Sequence, residues 1–110
     1  MITEYLDKAH AAFFENGIKE IFEHYGLNHQ LLTLLEELGE LSQAAAMSLK
    51  GERPERAEEL LCEELADVQV VIAQIMQAMP RDKRRLVVDM ALFKVKRQLE
   101  RIDEENAQGA

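Results

Sequence analysis

The sequence predicts an all-α protein, an antiparallel bundle of four to five helices. Leu, Ala, Glu, Lys, Arg and Gln dominate its composition, and these are the strong helix formers. Only two prolines and five glycines interrupt its 110 residues. Apolar residues recur at spacings of three and four in successive segments, which is how one face of a helix is written.

Each element follows from its own signals. Thr3 can cap a first helix carrying Leu6, Ala9 and Phe13. "ENG" at 15–17 reads as a break, and Ile18, Ile21, Phe22 and Tyr25 mark a short second segment ended by Gly26. Asn28 is the expected cap of a long helix over 28–50, with Leu31, Leu34, Leu35, Leu38, Leu41, Ala45 and Leu49. Gly51 closes it and Pro54 opens the next, the usual asymmetry of helix ends. That next helix should run to about Met79, where Pro80 stops it. Asp82 can cap a last helix with the seam Val88, Leu92, Val95, Leu99 and Ile102. The tail 103–110, "DEENAQGA", has nothing to bury and is expected to fray. The length suits a single helical domain over 1–110, and short loops between long amphipathic helices make neighbours antiparallel. Such a chain leaves apolar surface for a second copy, so a homo-oligomer is expected.

Charge excludes some partners. A net charge of −8 argues against general binding to nucleic acid or to anionic membranes, both of which need a positive surface. The single cysteine, Cys62, has no internal disulfide partner, which suits a reducing compartment. "MITEYLDKAH" lacks a basic-then-apolar signal pattern, and no apolar run approaches membrane-spanning length. A cytoplasmic location without a membrane partner is the expectation.

One apolar stripe contains an acid. In "EELLCEELADVQVVIAQI" (58–75), Leu60, Leu61, Val68, Val71, Ile72 and Ile75 line one face together with the preceding Ala57. Glu64 falls inside that stripe, four residues from both Leu60 and Val68. Asp67 stands at its edge. On the preceding helix, "EELGE" supplies Glu36, Glu37 and Glu40, with Glu37 on the flank of Leu34, Leu41 and Ala44 and Glu40 turned toward the polar side. Folding the hairpin about Glu52 sets Glu40 and Glu64 each twelve residues from the turn, and Glu37 and Asp67 each fifteen. Both pairs then lie at one level, about 18 Å from the turn. Four ionised carboxylates in one crevice repel, and a buried one without a partner is costly or protonated. A hard divalent cation such as Mg²⁺ or Mn²⁺ removes the conflict, because it prefers an all-oxygen ligand set. A buried salt bridge from Glu64 to an Arg or Lys of another helix is the competing account. A diiron bundle is a weaker rival, since it needs Glu-x-x-His on two helices and none of His10, His24 or His29 follows a Glu at that spacing.

These residues carry a resemblance. "EELGE", followed 23 residues after its last Glu by "EELAD", resembles the E-E-x-x-E … E-x-x-D signature of the MazG-like all-α nucleoside triphosphate pyrophosphohydrolases. The flanks "YGLNHQLLTLLEELGELSQA" and "LCEELADVQVVIAQI", and "KRQLERI" near the end, are similar to its phage and bacterial branch, over roughly residues 25–102. The resemblance implies Mg²⁺-dependent hydrolysis of a nucleoside triphosphate, with a dNTP the expected substrate, to monophosphate and pyrophosphate. It implies Glu37, Glu40, Glu64 and Asp67 as ligands, Glu36 either as an outer residue behind the ligands or as one that assists in positioning water, and a homodimer or homotetramer. A triphosphate also needs cations. Lys94, Arg97 and Arg101 share a face of the last helix, and Lys94 and Arg97 are the substrate-binding candidates. Gln30, two turns before Glu37, is a candidate for contact with base or ribose; a solvated glutamine at the helix start is the alternative. Gly39 is read as permitting close helix approach. The rival to an enzyme is a non-enzymatic oligomerisation or regulatory module that keeps the acidic hairpin as a cation-stabilised core.

Overall fold

The computed structural model describes residues 2–109. A short 3-10 helix (Ile2–Tyr5) precedes four α-helices: α1 (Lys8–Tyr25), α2 (Leu27–Lys50), α3 (Pro54–Ala78) and α4 (Arg81–Gly109). No strand occurs among the described residues. The all-α expectation therefore holds, with four α-helices. Two compact units are distinguished, one running to Ala78 and one from Met79 onward.

In the first unit α2 and α3 form an antiparallel hairpin, and α1 packs on both, more on α3. The turn follows the expected punctuation. Gly51 ends α2 with φ +70°, a left-handed conformation that glycine adopts without a Cβ penalty. Pro54 then opens α3, where its missing N–H costs nothing. The core contains Ile18 of α1, Ala44 of α2, and Ala57, Val68 and Val71 of α3. Buried among them are three polar side chains, Gln30, Glu64 and Gln74.

Several end signals resolve differently from the sequence reading. "ENG" does not break the chain: α1 passes through Gly17 without interruption. One glycine costs a helix about 1 kcal/mol. The inward stripe Ala11, Phe14, Ile18 and Phe22 continues across it, so packing outweighs that cost. Phe13, grouped with Leu6 and Ala9 as an apolar residue of the first helix, is exposed. The cap of α1 is Asp7 rather than Thr3, which lies within the 3-10 turn. The Asp7 carboxylate accepts from the His10 backbone N–H at 2.8 Å, and the His10 ring lies beside it at 2.9 Å.

The helix expected to be capped by Asn28 is capped two residues earlier, by the backbone of Gly26 at φ +83°, whose carbonyl accepts from the Gln30 backbone N–H. At α4 the Pro80 carbonyl accepts from Lys83 and Arg84, and Asp82 sits in the first turn rather than at the cap. There its negative charge complements the helix dipole. The tail expected to fray is helical to Gly109, since its Glu, Ala and Gln favour the helix. Its last residue, Ala110, lies outside the described residues. A Cβ built at Gly39 meets nothing within 4 Å, so within the chain this glycine does not serve close helix approach.

Candidate metal centre

The α2–α3 hairpin brings two acidic pairs face to face. Glu37 and Glu40 stand three residues apart on α2, and Glu64 and Asp67 three apart on α3, so each pair projects from one side of its helix. One oxygen from each of the four lies within 4.8 Å of all the others. Glu64 is buried at 9% exposure, Glu37 is half-buried, and Glu40 and Asp67 open to solvent. The crevice thus has a dry floor and a wet mouth. Glu40, which the helical wheel turns toward the polar side, still reaches it with one oxygen. Glu36 lies outside this group, exposed on the neighbouring position of α2.

Two oxygens at the floor are orphaned. Oε2 of Glu37 and Oε2 of Glu64 are buried and receive no hydrogen bond. Among the described residues, no lysine, arginine or histidine forms an ion pair with any of the four acids. The salt-bridge account of Glu64 therefore finds no partner within this chain. Buried carboxylate oxygens are rarely left without a donor, because the desolvation cost then goes uncompensated.

The chain responds as electrostatics requires. Burial, followed by the charges of Asp67 and Glu40, pushes the Glu37 carboxyl up from 4.5 to about 7. Burial also raises Glu64, reinforced by a hydrogen bond and charge from Glu40 and by the charge of Asp67. Burial first, and the neighbouring acids after it, disfavour the ionised form of both carboxyls. The donor set is four carboxylates, all oxygen, and two of them keep a buried oxygen that receives no hydrogen bond. That chemistry fits Mg²⁺ or Mn²⁺ and suits a soft, thiophilic metal poorly.

The remaining candidates fall elsewhere. Lys94 and Arg97 are exposed on α4, in the second unit. Gln30 is not a solvated helix-start residue: it is 3% exposed, and its Nε2 donates to Gln74 Oε1 at 2.7 Å. His10 belongs to the α1 cap. His24 lies edge-on to Tyr25, and Tyr25 stacks on His29 with ring centres 4.4 Å apart. Cys62 is exposed and free. The sequence reading passed over Gln74, although the fold-back that pairs Glu37 with Asp67 also pairs Gln30 with Gln74. Comparison with family models, curated proteins and solved structures returned no match to this chain.

Proposed function

We propose that the protein is a Mg²⁺-dependent nucleoside triphosphate pyrophosphohydrolase of MazG-like type, acting on dNTPs and releasing monophosphate and pyrophosphate. One observation carries the reading: four carboxylate oxygens within 4.8 Å of one another, two of the four side chains having a buried oxygen without a donor. Glu37, Glu40, Glu64 and Asp67 would hold the ion, with Mn²⁺ as a substitute. When bound, the ion supplies charge neutralisation and Lewis acidity toward phosphate.

The chain's own residues divide the remaining work. The four acids repel a triphosphate while they are bare, so they admit it only after neutralisation. Glu64, fixed in the apolar stripe, orients the floor of the site. Glu36 lies beside Glu37 on the exposed side and is proposed to hold the attacking water. Lys94 and Arg97, one turn apart on α4 of the second unit, are proposed as phosphate-binding cations from their chemistry alone, since an Arg fork grips two oxygens at once. Gln30 is a weaker candidate for the base, because its amide is committed to Gln74. Hydrolysis of this kind asks a protein mainly for positioning and charge stabilisation, and both are within reach of these residues.

The exposed apolar side chains support a homodimer or homotetramer, and they equally favour a rival, a non-enzymatic oligomerisation module with a cation-stabilised acidic hairpin. A panel of canonical and modified (d)NTPs with Mg²⁺, assayed for pyrophosphate, separates the two. Release that EDTA abolishes supports the enzyme. No release from any nucleotide, together with metal-dependent melting, supports the module.

A further inference from the structure

The acids meet only if α2 and α3 keep the register that the turn sets out to the level of the acids and beyond it. The apolar stripes are built from Leu, Ala, Val and Ile at spacings of three and four, so sliding one helix by a turn still sets apolar against apolar. The loop Gly51–Arg53 sets the register at the turn, and α1 packs on both helices. Between them the acids repel by charge, relieved in part by the hydrogen bond from Glu40 to Glu64. Buried at the far end is one specific contact: Gln30 Nε2 donates to Gln74 Oε1 at 2.7 Å, with the two residues 3% and 2% exposed. Among the described residues it is the one hydrogen bond between uncharged side chains that joins α2 to α3.

Position ties this bond to the acids. Gln30 and Gln74 are each twenty-two residues from Glu52, the same mirror relation that pairs Glu37 with Asp67 and Glu40 with Glu64. Gln30 precedes Glu37 by seven residues and Gln74 follows Asp67 by seven, two helical turns or about 10 Å on each rod. The amide is also held in one orientation. His29 Nδ1 lies 2.7 Å from Gln30 Oε1, a hydrogen bond made by the tautomer with its proton on Nδ1. Tyr25 stacks on the same ring and steadies it. With its oxygen turned toward His29 Nδ1 at 2.7 Å and Thr33 Oγ1 at 3.5 Å, the Gln30 amide presents its nitrogen to Gln74.

We propose that the Gln30–Gln74 pair is a register lock: it positions Glu37 and Glu40 opposite Glu64 and Asp67, and so sets the metal affinity of the crevice. A slip by one turn breaks the bond and strands two buried amides, whereas it costs the apolar stripes little. The consequence for metal affinity rests on the metal reading given above; the lock itself does not.

The test uses the full chain, with Cys62→Ser and spin labels at Asn28→Cys and Ala78→Cys, two exposed positions on α2 and α3, diluted with unlabelled chain. The double variant Gln30→Leu/Gln74→Leu removes both amides together, so neither is left unpaired, and its helix content and melting should match the parent. The expected inter-label distances are narrow in the parent and broad or double in the variant, with components separated by up to one turn, about 5.4 Å. Mn²⁺ affinity should fall by about tenfold or more, as when an outer partner of a metal site is lost. A distribution as narrow as the parent's overturns the lock, whatever the metal does. A broadened distribution with unchanged Mn²⁺ affinity overturns the claim that the lock positions the acids. If the parent binds no Mn²⁺, the metal reading fails while the distances still decide the lock. Should the double variant unfold, Gln30→Glu/Gln74→Lys, which restores a bond in the same register, must recover the narrow distribution.

Discussion

Glu64 concentrates the energetics of the molecule in one side chain. It occupies a stripe position between Leu60 and Val68, where an apolar residue would pack without penalty. A structural ion pair and a metal site make opposite predictions for its removal. If Glu64 completed an ion pair, Glu64→Gln would lower the melting temperature. Because its buried oxygen has no donor, Glu64→Gln is expected to raise the melting temperature of the metal-free protein and abolish its further rise with Mg²⁺, as read by calorimetry. Turnover should fall by more than the roughly hundredfold that loss of an outer partner of a metal site can cost.

Glu37 gives a pH dependence with a definite sign. Its carboxyl is raised from 4.5 to about 7 in the folded chain, so the folded state binds more protons than the unfolded state across that window. This contribution to stability is complete below the unfolded value and is lost as pH rises through about 7. The metal-free protein is therefore expected to melt higher at about pH 5 than at about pH 8 with respect to this site. The Mg²⁺-induced rise in melting temperature should run the other way and be larger above pH 7, since protons and metal compete for the same oxygens. A metal response independent of pH across this range would separate Glu37 from the metal.

Among the helices, legibility tracked the strength of the local signal. α2 and α3 were readable because Gly51 and Pro54 punctuate their junction, and both play the backbone roles expected of them. The convergence of the acids was readable because an antiparallel hairpin with a known centre fixes which residues meet. Gly17 was misread because a glycine in a helix is a weak signal, and the burial of Ile18 one residue later overrides it. The caps were misplaced where backbone carbonyls, at Gly26 and Pro80, serve in place of the side chains that sequence can show. Gln74 was overlooked although the fold-back about Glu52 sets it opposite Gln30, because a glutamine near an apolar stripe resembles a solvated edge residue until its mate is buried beside it.

Glycine chemistry yields two expectations of opposite sign. Gly17→Ala, mid-helix with open space around the new Cβ, should stabilise by about 0.5–1 kcal/mol. Gly51→Ala, at φ +70°, should destabilise by about 1 kcal/mol. Chemical denaturation measures both, and a stabilised Gly51→Ala would refute the left-handed turn.

For the molecule as a whole, the unusual quantity is apolar surface. The buried hydrophobic residues are few and mostly small, while Leu32, Leu35, Leu92 and Phe93 are each more than 60% exposed. Among the described residues no helix is long and apolar enough to cross a membrane, so this surface is not a transmembrane span. The proposed assembly into a homodimer or homotetramer accounts for it, since a stable interface buries about 1,200–2,000 Å² in total. Sedimentation should find a mass of two or four chains that dissociates on dilution. A monomer at all concentrations would contradict the assembly and leave these leucines unexplained.

The central claim, that the acidic crevice holds a divalent ion, is tested most directly by titrating Mn²⁺ into the metal-free protein and following the free ion by electron paramagnetic resonance. The account predicts saturable binding at a fixed stoichiometry, displacement by Mg²⁺, and loss of that binding in Glu64→Gln. Equal Mn²⁺ uptake by the parent and by Glu64→Gln, or no saturable uptake by either, would contradict it.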